Sequence, residues 1–222
     1  MHGEQFYAYI YPKSLVEFDA VKIMTPDICA RPELTLDAAG DLYHTTTLYS
    51  FVFKPDAKGS ARYFLGLLNA KVIWYFVKVT GTPLRGDYYR FKTEYLRPFP
   101  IPDATPEQQR LIETLVGYVL ALKRQAANLA ESPSPFIVMA AWFERLIDAL
   151  VYELYFPEEF TAENRVSAAL ALLDLPSLAD SQAPIEALGV FFNTLYAPEH
   201  PVRRTVDLID TLPSVRVIEG KT

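Results

Sequence analysis

Basic and aromatic side chains are interleaved along one stretch of the chain, from Lys71 to Pro102. This stretch holds six basic residues against two acidic ones, with eight aromatic residues among them. Lysine and arginine suit phosphates, and the arginine fork also matches the edges of bases. One interpretation is therefore a nucleic-acid contact surface. The other is that the aromatic residues form core and the basic residues a solvated rim.

Recognisable catalytic motifs are missing from the rest of the chain. The sequence contains no Walker-type phosphate loop, no GxGxxG, no GxSxG elbow and no His-Glu-x-x-His pair. No two carboxylates are grouped with a basic partner, as a nuclease or glycosidase needs. The three histidines (His2, His44 and His200) lie far apart and have no metal-ligand spacing with the single cysteine. We therefore predict neither a catalytic centre nor a metal site, and do not expect this chain to be an enzyme by itself.

Four residues that could carry chemistry have structural interpretations. Asp27, Asp37 and Asp41 lie among turn residues, where aspartate commonly accepts hydrogen bonds from its own backbone. Cys29 is expected to be a small buried residue rather than a nucleophile. As the only cysteine, it excludes an intrachain disulfide framework and indicates a reducing, cytoplasmic compartment.

Charge is distributed unevenly over the 222 residues, whose formal net charge is −6. Residues 1–100 carry 12 Lys or Arg and 10 Asp or Glu, a net of +2, whereas residues 101–222 carry 9 and 17, a net of −8. The acidic half should not lie on DNA. No uncharged apolar run is long enough to predict a membrane span.

Periodicity predicts an α+β fold with a change of architecture at the prolines of residues 98–102. Before them we expect a small mixed β-sheet recognition unit with one long helix from Ser60 to Gly81; its strands are placed at residues 5–11, 21–24, 34–36 and 42–53. After them, Thr105-Pro106 starts an all-helical unit. Its helices are expected to about residue 131 and then at 136–156, 161–173, 184–196 and 201–212, with residues 214–220 as a strand or tail. The domains are placed at 1–102 and 103–222.

Five stretches, in order, resemble a known family. They are residues 22–28 (KIMTPDI), 34–51 (LTLDAAGDLYHTTTLYSF), 65–76 (LGLLNAKVIWYF), 84–92 (LRGDYYRFK) and 96–102 (LRPFPIP). The family is the TaqI-like C-terminal specificity domain of adenine-specific DNA methyltransferases and of fused type IIG restriction-modification enzymes. Residues 147–155 (IDALVYELY) are similar to the helix that follows that domain. One departure is Asp87, where the family more often has a second glycine.

The resemblance implies a role in recognising a DNA target. In that family an N-terminal methyltransferase domain carries the catalytic motif and the S-adenosylmethionine loop, neither of which occurs in this sequence. We therefore expect a C-terminal fragment or split-gene product that has no cofactor of its own. Its expected partners are double-stranded DNA and an N-terminal methyltransferase domain or subunit, with no membrane partner. The target bases would be read from the major groove while the methyltransferase flips out the adenine.

The resemblance also places candidate DNA-binding residues in the first half of the chain. Arg85 and Arg90 are candidates for base or phosphate contacts and Lys92 for a phosphate contact, while Tyr88 and Tyr89 could stack or pack under the loop. Secondary candidates are Lys13, Lys22, Arg31 and His44. Two other functions remain open: a protein–protein interaction module without DNA contact, and a complete small enzyme whose site has no recognised motif.

Overall fold

The computed structural model describes residues 15–91, 93–129, 134–161, 163–179 and 183–221. The strand expected at residues 5–11 lies outside these ranges. The described part of the chain contains six short strands: β1 (Lys22–Pro26), β2 (Ile28–Cys29), β3 (Thr35–Asp37), β4 (Leu48–Val52), β5 (Pro83–Leu84) and β6 (Tyr88–Arg90). Its helices before the prolines are α1 (Leu15–Phe18), α2 (Ala61–Asn69), α3 (Lys71–Thr80) and α4 (Thr93–Leu96).

The strands form two three-stranded antiparallel sheets rather than one mixed sheet. Their orders are β3-β1-β4 and β2-β6-β5. In the first, β1 is central and pairs Ile23 with Leu36 on one side and with Phe51 on the other. The chain passes from the first sheet to the second through Asp27, the one residue between β1 and β2. This residue therefore occupies the corner between the two sheets.

The strand expected over residues 42–53 is observed only at Leu48–Val52. Local hydrogen bonds hold the preceding segment in turns. The Asp37 carboxylate accepts the backbone N–H groups of Gly40 and Leu42 at 2.9 and 3.0 Å, and the Leu48 N–H is donated to the Thr45 carbonyl. Such side-chain acceptors compete with ladder pairing. The threonine-rich segment consequently lies at the surface beside Asp27 instead of extending β4.

The long helix expected after Ser60 is broken at Ala70. Ser60 caps α2 as expected, accepting the Tyr63 N–H, but Ala70 is extended, with ψ 154°, and α3 begins anew at Lys71. Two distant contacts hold the break. The Asn69 side chain exchanges hydrogen bonds with the backbone of Leu34, and the Asp148 carboxylate accepts the Lys71 N–H at 2.9 Å. Both partners are remote in sequence.

The described residues after Pro102 are helical and contain no strand. The helices are α5 (Pro106–Ala127), α6 (Pro135–Tyr155), α7 (Val166–Ala171), α8 (Pro184–Tyr196), α9 (Pro201–Ile209) and α10 (Pro213–Glu219), with a 3-10 turn at Pro157–Glu159. The Thr105–Gln108 capping box is present. The expectation of a strand or tail at residues 214–220 was wrong, because Pro213 starts a helix that Gly220 ends at φ +66°. The α+β class is confirmed; the division into two domains at Pro102 stays a prediction.

Among the described residues, no helix has the length and apolar character that crossing a membrane requires.

The two halves pack on each other through α2, α3, α5 and α6. Gly66 allows this close approach, since a Cβ at its position would meet Ile112 Cγ2 at 2.6 Å and Val116 Cγ2 at 3.1 Å. Farther along, the Tyr155 hydroxyl donates to the Pro100 carbonyl at 2.7 Å. The helical half therefore supports α2, α3 and the proline segment by direct packing.

An ionic cluster lies at the start of α3, where the two halves meet. Lys71 Nζ is 3.8 Å from Asp148 and 2.9 Å from Glu219, and Lys221 bridges Glu219 and Asp210 at 2.8 and 3.3 Å. Burial raises the pKa of the Asp148 carboxyl to about 7, against the opposing pull of Lys71. Its side chain is only 13% exposed. The ionised carboxylate is therefore an unfavourable feature of the folded chain near neutral pH.

Replacing Asp148 by Asn should make stability less dependent on pH. The folded-state pKa lies above the unfolded one, so the folded chain binds more protons between about pH 4 and pH 7 and loses stability as pH rises through that window. Asparagine keeps an acceptor for the Lys71 N–H. In urea unfolding, the free energy of unfolding of the variant should increase relative to that of the wild type by roughly 1–3 kcal/mol as the pH rises from about 5 to about 8. The control is Glu144→Gln, on the same helix in an exposed pair with Lys123; an equal gain there would contradict the assignment to Asp148.

Candidate nucleic-acid interface

The basic and aromatic loop forms a hairpin between β5 and β6. Leu84 lies opposite Tyr88, so the tip comprises three residues, Arg85, Gly86 and Asp87. Gly86 has φ +82° and Asp87 has φ +60°. Glycine adopts the left-handed region without steric cost, and aspartate tolerates it better than most residues. The departure from the family pattern thus falls where the backbone favours glycine, and it adds a negative charge at the tip.

The hairpin has an inner face that packs on α3. Tyr89 meets the Trp74 ring edge-on at 5.2 Å, and Phe91 stacks on the same ring at 6.1 Å. Because side chains alternate along a strand, Tyr88 and Arg90 lie on the opposite, outer face. Tyr88 is 45% exposed and Phe91 is buried. The two tyrosines expected to act together are therefore separated: Tyr89 belongs to the packing of the hairpin and Tyr88 to its surface.

Two arginines differ in their surroundings on this outer surface. Arg85 is exposed at the tip and has no ion pair within the described ranges. Arg90 Nη1 lies 3.2 Å from Asp27 Oδ2, and its side chain is 36% exposed. A free guanidinium is available to phosphate, whereas a paired one is already oriented by its carboxylate. Arg85, Tyr88 and Arg90 form what we term the hairpin face.

Asp27 contributes to the hairpin face, although sequence reasoning assigned it only a turn role. Its N–H donates to the Thr47 carbonyl at 2.9 Å and its carbonyl accepts the Phe91 N–H at 2.8 Å. Its Oδ1 atom is buried and has no hydrogen-bond partner in the described part of the chain. Arg90 is 63 residues away, so no local pattern could have revealed the pair. The exposed Thr45–Thr47 segment adjoins it.

The prediction that Lys22 contacts DNA was wrong. Lys22 is 0% exposed and forms a buried ion pair with Asp37, while its Nζ also donates to the Phe18 carbonyl at 2.6 Å. Hydrogen bonds from Lys22 and from the backbone N–H groups of Gly40, Asp41 and Leu42 hold the pKa of Asp37 well below its usual range. This lysine links the central strand β1 to Asp37 at the end of β3, and the expected turn role of Asp37 is confirmed.

Two further candidates, Arg31 and His44, have other partners. Arg31 is exposed but paired with Glu33 at 2.6 Å. His44 is hydrogen-bonded to Ser50 Oγ at 2.6 Å and meets the Phe18 ring edge-on at 5.0 Å, in a groove of about 380 Å³ beside β4. Lys13 and Lys92 lie outside the described residues.

Cys29 and the potential metal ligands of the described residues have structural roles or lie apart. Burial raises the pKa of the Cys29 thiol to about 11, which keeps it protonated near neutral pH and makes it a poor nucleophile. Within residues 15–91, 93–129, 134–161, 163–179 and 183–221, no three His, Cys, Asp or Glu side chains are grouped so that they could hold a metal ion.

Comparison with known proteins agrees with the motifs. Residues 4–101 match the family model described as the TaqI-like C-terminal specificity domain. A candidate type II restriction enzyme and methyltransferase of Methanocaldococcus jannaschii is 31% identical over 118 residues, which cover 53% of this chain and 9% of that protein. The chain thus corresponds to a small part of that relative. The resemblance expected from the sequence is confirmed: the segment that carries the hairpin face matches the TaqI-like C-terminal specificity domain family.

Proposed function

We propose that this chain is the DNA sequence-recognition region of a restriction-modification adenine methyltransferase. The observation that carries the proposal is the hairpin face. Tyr88 and Arg90 lie on the outer side of β6, whose other side packs on Trp74, and Arg85 is exposed at the adjoining tip. A rigidly backed set of arginine donors can hold the orientation that reading base edges requires. It lies within the segment that matches the specificity-domain family.

The proposed partners are duplex DNA and a methyltransferase domain or subunit. Residues 103–222 brace the hairpin face through α2 and α3, and their acidic balance is unsuited to DNA. We expect no S-adenosylmethionine binding and no methyl transfer by this chain alone. Transfer of labelled methyl groups to duplex DNA by the purified chain would contradict that expectation.

Binding to DNA is expected to be weak and steeply dependent on salt. Residues 1–100 have a net charge of only +2, and the acidic second half opposes approach to phosphates. Non-specific binding by such surfaces usually has a Kd of roughly 10⁻⁴ to 10⁻⁶ M at physiological salt. We therefore propose a micromolar or weaker Kd for the isolated chain.

The proposal is tested by replacing Arg85 and Arg90 together with Ala. Fluorescence anisotropy with labelled duplex DNA should show a loss of affinity of about tenfold or more at low salt. The plot of log Kd against log salt should lose about one unit of slope for each replaced arginine that contacts a phosphate.

The matched control removes two exposed arginines from the helical half, Arg124→Ala with Arg204→Ala. Arg203 is unsuitable because it stacks between Trp142 and Tyr196, with its guanidinium carbon 5.0 and 4.5 Å from the ring centroids. Affinity should be unchanged in the control. If the control pair weakens binding more than the hairpin pair, the DNA contacts the other half of the chain.

A second candidate function is contact with a protein partner without DNA. The observation that favours it is an apolar groove of about 440 Å³ between α3, the proline segment and α10, lined among others by Val72, Phe76, Phe99, Tyr155 and Val217. Grooves of this size and character accept apolar side chains. Absence of DNA binding at low salt, with the fold intact, would favour this alternative.

A further inference from the structure

We infer that Asp27 is a positioning residue that makes Arg90 a reader of a base edge and leaves phosphate contact to Arg85. This inference rests on the proposed function and deepens it by dividing the roles of the two arginines. It is drawn from the placement of Asp27 at the corner of the two sheets and from the pairing of its carboxylate with Arg90.

The first step concerns the rigidity of the Asp27 backbone. Its N–H is tied to the Thr47 carbonyl and its carbonyl to the Phe91 N–H, which joins the first sheet to β6. The strand register adds to this, since Ile28 lies opposite Arg90. Both ends of the Asp27–Arg90 pair are thus fixed by backbone hydrogen bonds, and the side chains need little reorganisation to meet.

The second step concerns charge. The Asp27 carboxylate, 19% exposed, lies against a guanidinium that is 36% exposed. Together they carry no net charge, so the pair attracts a phosphate far less than a free arginine does. The base edge of guanine carries no formal charge and presents two acceptors, and it needs oriented N–H donors rather than a net positive charge. In the described structure only Nη1 of Arg90 has a partner, which leaves N–H groups for that task.

The third step concerns stability. The buried Oδ1 atom of Asp27 lacks a partner within the described ranges, and an unsatisfied buried acceptor is unfavourable for folding. Stability alone is therefore a poor explanation for a carboxylate in this arrangement. Arg85, at the tip and unpaired, has the opposite properties and suits a phosphate.

The test uses the full chain and its variants Asp27→Asn, Arg90→Ala, Arg85→Ala and the double variant Asp27→Asn/Arg90→Ala. Each protein is used to select bound duplexes from a library with a randomised core, which gives its base preference at each position. Its Kd for one fixed duplex of arbitrary sequence is then measured over a range of salt concentrations. Asp56→Asn removes an exposed carboxylate from another loop of the same half and controls for net charge.

For Asp27→Asn we expect the preference at one position of the selected site to fall about tenfold, while binding to the arbitrary duplex tightens and its salt slope rises by about one unit. Arg90→Ala should lose the same preference without a change in salt slope, and Arg85→Ala should lower the slope by about one unit and keep the preference. The double variant should show the same loss of base preference as Arg90→Ala, because Asp27 affects that preference only through Arg90.

A purely structural role of Asp27 would give different results. If Asp27→Asn lowers the melting temperature and weakens all sequences equally, or if it keeps the full preference and slope, the inference is overturned while the proposed function stands. If the wild type binds no duplex at low salt, the proposed function fails first. NMR of the Arg90 side-chain N–H signals gives a check without DNA. In Asp27→Asn the guanidinium should rotate more freely, so that its separate N–H signals average; unchanged signals would contradict the pairing.

Discussion

Replacing Trp74 by Ala is expected to destabilise the chain by about 3 kcal/mol and to abolish binding at the hairpin face. The Trp74 indole packs against Tyr89 edge-on and against Phe91 in a stacked arrangement. Lys78 Nζ lies 5.9 Å from the centroid of the same ring. Its removal leaves a large void that two short strands cannot fill. In a chain of this length the loss corresponds to a fall in melting temperature of roughly 6–12 °C.

Stability is measured by thermal unfolding. DNA binding is measured separately, by fluorescence anisotropy of labelled duplex DNA at a temperature below the melting temperature of the variant. Tyr88→Ala is the matched control, because it removes a ring of the same strand from the outer face, where it is exposed. It should change stability by less than about 0.5 kcal/mol. If Trp74→Ala leaves both stability and DNA binding intact, the hairpin is not held by this ring.

Replacing Gly66 by Val should have a comparable effect, expected at about 3 kcal/mol, through the junction of the two halves. The first side-chain carbon alone would lie 2.6 Å from Ile112 Cγ2, a buried and stiff neighbour. Two further methyl groups force α2 away from α5, and such overpacking in a dense core commonly costs about 1–3 kcal/mol. Gly66→Ala should be milder, because part of the clash is offset by about 1 kcal/mol of helix propensity.

The control for this effect is Gly189→Ala in α8. A Cβ there would meet only Met139 Cε, at 4.0 Å, so the gain in helix propensity should stand alone. Chemical denaturation should show it to be neutral or stabilising by up to about 1 kcal/mol. If Gly66→Val is as harmless as Gly189→Ala, α2 does not need this close approach to α5.

Features set by local chemistry were predictable from the sequence. The Ser60 cap, the Thr105–Gln108 capping box and the end of α3 at Gly81 are observed where the residues indicated them. Each depends on neighbours within a few positions, which a single sequence displays. The helical second half follows for the same reason. The helix expected at residues 161–173 is shorter, Val166–Ala171, and the last helix, after Pro213, was missed.

Features set by distant partners were not predictable. The break at Ala70 depends on Leu34 and Asp148, and the burial of Lys22 depends on a carboxylate 15 residues away. A lysine in a strand is normally exposed, so burial in an ion pair is the less common outcome. Arg85 lies at the surface, as a candidate for DNA contact must, whereas the sequence left open whether Tyr88 stacks or packs under the loop. The contact of Asp27 with Arg90 became visible only when β6 was placed beside it. Which of these residues touch DNA stays a prediction.

The contact between Asp148 and the first residue of α3 has a consequence for transplanting the hairpin face into another protein. The proline segment ending at Pro102 looks like a natural place to cut, yet α3, which carries Trp74, is capped by a carboxylate from beyond that cut. The same cut would expose Gly66 and remove the tyrosine that holds Pro100. An exchange of target specificity between relatives should therefore move α5 and α6 together with the strands, so that the donor's recognition surface arrives with its own support.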